Sequence, residues 1–286
     1  MSLRRAIFAT DASAILARHR VLLTKSWHRR AGEFATAVAV LGLALFSVWW
    51  LDISFGQIGP GLAELGKFIA LMVPPSTGGH LVLFLKSMGE TLAIAFLGTL
   101  VAAVVATPLA LLAAQNTTPS RFLRFPIRRL LDTIRGIDTL IWALVFVGVV
   151  GLGPFAGILA IAVSDIGSFG KLFSEAIEAT PARERETVIA SGGSRLMGIR
   201  FGLLPQVLPV IASQVLYYFE SNTRSATIIG IVGAGGIGLQ LSEQIRTYDF
   251  DQVAFIVGLI LAAVAAIDWI SGRLRFAIIG RREVLA

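Results

Sequence analysis

Residues 139–164 read TLIWALVFVGVVGLGPFAGILAIAVS, 26 residues without a charge. A helix crosses ~30 Å of hydrocarbon in roughly 20 apolar residues. The run is too long for one such helix and too short for two. Gly151-Leu152-Gly153-Pro154 in its middle has the composition of a turn. Two spans fit if each takes in polar flanks, over 130–150 and 154–173, and this places Asp132, Arg135 and Asp138 towards the start of the first.

Working outward, Phe34–Leu51, Thr91–Ala114 (with Pro108 inside it) and Val253–Ile267 are further uncharged runs, and Gln206–Phe219 is a shorter one. The whole chain of 286 residues is 55% hydrophobic and 15% charged, against ~45–50% and ~25% for soluble domains. Mean hydropathy is +0.77. These values exclude a disordered chain, argue against an ordinary cytosolic enzyme, and predict an all-α, integral membrane helical bundle. The absence of cysteine excludes thiolate-bound zinc, iron–sulfur clusters, disulfides and cysteine nucleophiles. His19, His28 and His80 are too scattered to suggest a histidine metal site.

The basic residues set the expected topology. Residues 1–33, 115–136, 166–206 and 271–286 hold 21 of the 25 Lys and Arg. Cytoplasmic loops carry the excess of these residues, so all four segments are placed inside. Six spans then follow, over 34–51, 88–114, 130–150, 154–173, 206–226 and 252–270, with both termini cytoplasmic. The expected organisation is a basic segment 1–33, a first span and external loop 34–87, a core 88–272 and a tail 273–286. Within the external loop, Leu62–Val73 could form a short interfacial helix before Pro74-Pro75. The first 30 residues could lie as an amphipathic helix on the inner leaflet and lack the pattern of a secretory signal. The pI near 10.5 needs no nucleic acid to explain it, because the arginines flank membrane spans.

Two glycine patterns resemble nucleotide motifs without their context. Gly233-Ala234-Gly235-Gly236-Ile237-Gly238 fits G-x-G-x-x-G, but no βαβ unit surrounds it. A bend at the outer end of a membrane helix is the simpler reading. Gly167-Ser168-Phe169-Gly170-Lys171 lacks the P-loop spacing, and Leu172 stands where Ser or Thr would bind magnesium. The chain is therefore expected to hold no cofactor and no ATP site of its own.

The polar segment 174–205 is more informative. Glu186, Gly192 (with Gly193 beside it), Leu204 and Pro205 stand at the spacing E-A-A-x3-G-x9-I-x-L-P. Thr187 and Val188 replace the alanines, and Gly202 stands where Ile is usual. Glycine permits a tight turn between short helices, and proline is tolerated in a helix's first turn. The pattern resembles the coupling loop of bacterial ABC import permeases. The stretches 142–154, 170–178, 203–209, 218–224 and 232–238 look like the phosphonate import permeases, with Lys171–Glu178 and Phe219–Ala226 the most specific pieces. That resemblance covers roughly residues 88–272. It implies a type I ABC importer permease fold in a bacterial inner membrane, working by alternating access. It also implies a second permease copy in a homodimer, two cytoplasmic ABC ATPase subunits carrying ATP and magnesium, and an external phosphonate-binding protein. No catalytic residue is expected in this chain.

Charge at membrane depth needs a reason. Glu220 and Arg224 are four apart, acid first, the favourable order on a helix. They form either a self-neutralising pair within the bundle or, with Asn222, part of a translocation path. Asp138 and Asp165 are each read as helix-end or capping residues. Glu175 and Glu178 are expected to pair with Lys171 or cytoplasmic arginines. Trp49 and Trp50 suit an interfacial anchor. Two other classes stay open: an ion-coupled secondary transporter using Asp138, Asp165 and Glu220, and a membrane-embedded enzyme. Within the ABC class, permeases for another small anion or an amino acid are the nearer alternative.

Overall fold

The computed structural model describes residues 27–52 and 55–283, and every element among them is helical. The chain divides into two units, residues 1–66 and 67–286. In the first, α1 (Trp27–Trp50) is apolar on every side from Phe34 onward: Val38, Val40, Leu43 and Leu45 are all exposed. A helix without a polar face suits a surrounding of lipid. The inner-leaflet helix expected in residues 1–30 falls for the most part outside the described residues. The short α2 (Ile58–Leu71) buries nothing, and it begins four residues before the interfacial helix expected over 62–73.

The second unit holds α3 (Leu81–Ala113), α4 (Arg121–Arg135), α5 (Thr139–Val150), α6 (Pro154–Glu178), α7 (Arg183–Ala190), α8 (Leu204–Ile229), α9 (Ile237–Thr247) and α10 (Phe250–Glu283). Its centre is a seam between α3 and α6. Ala102, Ala106, Ala110 and Ala114 recur every fourth residue along α3 and its C-cap, and Phe169, Phe173 and Ile177 of α6 pack against them with Leu203, Val207 and Ile211. Lipid is as apolar as the side chains, so membrane helices associate through close packing over small residues. A Cβ on Gly98 would come within 2.7 Å of Ile161, so the same seam continues towards the start of α3. Thr91, Thr99 and Thr107 return their hydroxyls to carbonyls four residues back, at 3.0, 2.7 and 2.7 Å, which satisfies them without water.

Several boundaries differ from those the apolar runs suggest. The second span starts at Leu81 rather than 88, and the last runs unbroken to Glu283, so most of the expected tail is helix. The third span is not one helix over 130–150. It is α4 and α5, bent by 89° at residues 136–138. Among the described residues five helices are long and apolar enough to cross a membrane, and the bent pair gives the expected sixth if it is one broken span. Asp138 caps α5, accepting from the Leu140 amide at 2.8 Å, as a capping residue should. The turn at 151–154 forms as expected, with Gly151 and Gly153 at φ +91° and +136° and Pro154 opening α6.

Candidate functional site

Three places carry the residues of interest. The first is an elbow at the α6–α8 connection. Helix α7 ends at a turn in which Gly192 has φ +91°. Gly193 then donates to the Val188 carbonyl at 3.0 Å, and a Cβ there would lie 2.6 Å from that oxygen. Ser194 caps the one-turn helix Arg195–Met197, which continues through 198–203 into α8. Pro205 sits in the first turn of α8, where its missing N–H costs nothing. Leu204 is half-buried, and Glu186 is exposed on α7. Gly202, the apparent departure from the sequence motif, has a physical reason: a Cβ would meet the Arg185 Cα at 2.7 Å. The glycine lets α7 fold back closely on the segment that follows it.

The elbow is tied to the ends of two long helices. Arg185 donates to the Asn116 carbonyl at 2.5 Å and Arg195 to that of Thr117 at 3.3 Å, both just past α3. The Asn116 side-chain amide donates to the Ile177 carbonyl at 2.6 Å, and Glu178 accepts from the Gln115 backbone amide at 2.6 Å and from Arg128. These bonds tie α7 and the segment after it to the ends of α3 and α6. Glu178 pairs with Arg128, an arginine of the basic segment 115–136, while Lys171 lies 3.7 Å from Asp132.

The second place is a polar layer inside the bundle. Asp165 is not a helix-end residue. It lies in the middle of α6 and is buried, and its Oδ2 accepts from the Asn222 side-chain amide at 2.5 Å. The same amide nitrogen reaches the Thr99 hydroxyl at 2.8 Å, so α3, α6 and α8 are cross-linked at one level. Glu220, two residues nearer the elbow, holds two arginines. Its Oε1 is 3.5 Å from Arg224 and its Oε2 is 3.1 Å from Arg275 on α10. The Glu220 side chain is 10% exposed and that of Arg224 49%. Arg224 therefore lies on the open face of α8 that also carries Val210, Tyr217 and Ile228. Sequence reading alone assigns Arg275 to a cytoplasmic tail, gives Asp165 a capping role or a place in an ion-coupled transporter, and does not single out Thr99. The one available signal is Asp268, seven residues before Arg275 on α10 and 4.0 Å away.

The third place is the glycine bend 230–236. Gly233, Gly235 and Gly236 have φ of +97°, +84° and +75°. The amides that open α9 are taken by α3: Gly236 donates to Glu90 at 3.0 Å and Ile237 to Thr91 at 2.7 Å. Gly153 donates to the Gly233 carbonyl at 2.9 Å, and a Cβ on Gly238 would lie 1.9 Å from the Thr227 carbonyl. The glycines serve close packing, and the helix N-terminus that a dinucleotide would need is occupied by Glu90 and Thr91.

Comparison with known proteins agrees with this geometry. HtxC of Stutzerimonas stutzeri, named provisionally as a phosphite transport system permease protein, is 42% identical over 255 residues, 89% of this chain and 90% of that protein. The phosphite transport system permease protein PtxC of the same organism is 34% identical over 249 residues, 87% and 90% of the two chains. Among solved structures, the inward-facing MetNI methionine ABC transporter aligns with TM-score 0.62 at 21% identity, over 71% of this chain and 99% of that one, which establishes the type I importer permease fold. Residues 106–279 match the family model described as binding-protein-dependent transport system inner membrane component, and the chain is a multi-pass membrane permease belonging to that family.

Proposed function

We propose that the chain is the permease subunit of an ATP-driven importer for phosphite, a phosphonate or a related small phosphorus oxyanion. The observation that carries this reading is the elbow: a short helix ending in the positive-φ turn at Gly192, bound by arginines to the end of α3 and leading directly into α8. Two relatives named for phosphite transport support the substrate class.

In this reading both termini are cytoplasmic, and two copies pair as a homodimer with the path between them. Two ATPase subunits, which bind ATP and magnesium, grip the elbows through Glu186, Gly192, Gly193, Leu204 and Pro205. Their closure tilts α8 as a rigid element. Arg224 on the open face of α8 meets the anion, Glu220 holds that arginine in place, and Asn222 braces α8 from behind against α3 and α6. An external binding protein delivers the solute and most of the selectivity, because the membrane portion offers few groups for an anion. The chemistry of ATP stays in the partner subunits.

Reconstituting the permease in vesicles with its ATPase and binding protein tests this. Methylphosphonate or phosphite uptake is expected only when both partners are present. Uptake by the permease alone, or uptake confined to amino acids, would contradict the assignment.

A further inference from the structure

A cavity of about 480 Å³ lies between Leu172 of α6, Ser213, Gln214, Tyr217 and Tyr218 of α8, and Arg275 of α10. Its wall has an unusual balance of groups. The buried Gln214 Oε1 has no donor within reach. An unsatisfied buried acceptor is costly, so it calls for a donor beside it, a water or a ligand. Arg275, with 26% of its side chain exposed, uses Nη2 for Glu220 and Asp268, which leaves the other edge of its fork available. Its guanidinium also stands 5.9 Å from the Tyr217 ring. Glu220 carries one negative charge against the two positive charges of Arg224 and Arg275. Asp268 adds little, being 4.0 Å away and 63% exposed. With the distant Asp268 set aside, the cluster carries one more positive charge than negative, on cations that are 26% and 49% exposed.

From these features we infer that the cavity is a resting site for one small tetrahedral monoanion that keeps an acidic O–H, the form in which a phosphonate or phosphite carries a single charge. Its oxygens accept from the free edge of Arg275 and from the Ser213 and Tyr217 hydroxyls. Its O–H donates to Gln214 Oε1. The cavity exceeds the size of such an ion, so the ion enters with part of its water. This deepens the proposed function and rests on it. It places a second cation, on α10, beyond Arg224 on the open face of α8.

The absence of native cysteine makes the test direct. A Ser213→Cys permease, assembled with its ATPase and binding protein in vesicles, is labelled with an anionic methanethiosulfonate at mildly acidic pH. Saturating methylphosphonate should slow labelling of the permease by about tenfold, and sulfate, which has no O–H to donate, should not. Adding Gln214→Leu should raise the methylphosphonate concentration needed for protection by about tenfold. Equal protection by sulfate, or none by methylphosphonate while the complex imports it, would overturn the site and leave the importer assignment standing. Failure of the unaltered complex to import any phosphorus oxyanion would instead remove the assignment on which the site depends. The Ser213→Cys protection decides the matter by itself if the Gln214→Leu variant does not assemble.

Discussion

Glu220→Gln should lower the stability of the purified permease by about 3–5 kcal/mol, the cost of stranding buried charge by removing its partner. One carboxylate serves Arg224 at 3.5 Å and Arg275 at 3.1 Å, so its loss leaves the more buried Arg275 and its half-exposed neighbour Arg224 without the anion they share. The usual remedy for a broken pair is to remove the other member. Here Glu220→Gln with Arg224→Gln should recover little, because Arg275 remains. Only the triple change that includes Arg275→Gln should restore stability, while uptake stays lost because the cations are gone. Thermal unfolding in detergent and uptake in vesicles, measured on all variants, separate the two effects. A single Glu220→Gln variant with unchanged unfolding would show that the cluster contributes nothing to the bundle.

Gly192→Val should abolish or strongly uncouple transport while the bundle still inserts. The φ of +91° there is costly for a β-branched residue, by about 1–3 kcal/mol. No other atom lies within 4 Å of where the Cβ would stand, so the substitution acts through the backbone and not through a clash. Every 1.4 kcal/mol shifts the population of the correct turn by about tenfold. Asparagine visits the left-handed region more readily, so Gly192→Asn should keep much of the coupling. The check is solute imported per ATP hydrolysed. Equal losses in the two variants would show that backbone conformation is not the cause, and normal import by Gly192→Val would remove this turn from the coupling path.

The parts of the fold that sequence shows are those set by local composition. The turn at 151–154 and the elbow at 192–205 follow from glycine and proline at fixed offsets, and both form. The run of apolar residues locates the spans but not their ends. Helices such as α3 and α10 extend past the apolar run because polar residues at their ends still favour helix. The break at 136–138 is hidden because counting charges cannot see a helix change direction. Helix α9 escapes a reading by apolar runs because its sequence is mixed and short, and its start is fixed by Glu90 and Thr91, 146 residues away. The polar layer is hidden for the same reason: Asn222 is 57 residues from Asp165 and 123 from Thr99. Arg275 reads as a flanking charge because an arginine after an apolar run usually is one. Its role depends on α10 continuing as helix and returning beside Glu220.

The central claim is that the segment 183–205 is the cytoplasmic handle by which an ATPase moves this permease. Its most direct test is a single cysteine at Ser191, on the exposed end of α7 one residue before the turn. The account predicts that an impermeant thiol reagent leaves Ser191→Cys unlabelled in intact cells and labels it in inverted vesicles, and that bound ATPase then protects it. A matching cysteine at Ser76 should label from outside. Labelling of Ser191→Cys in intact cells would contradict the topology, the elbow and the ATP-driven mechanism together.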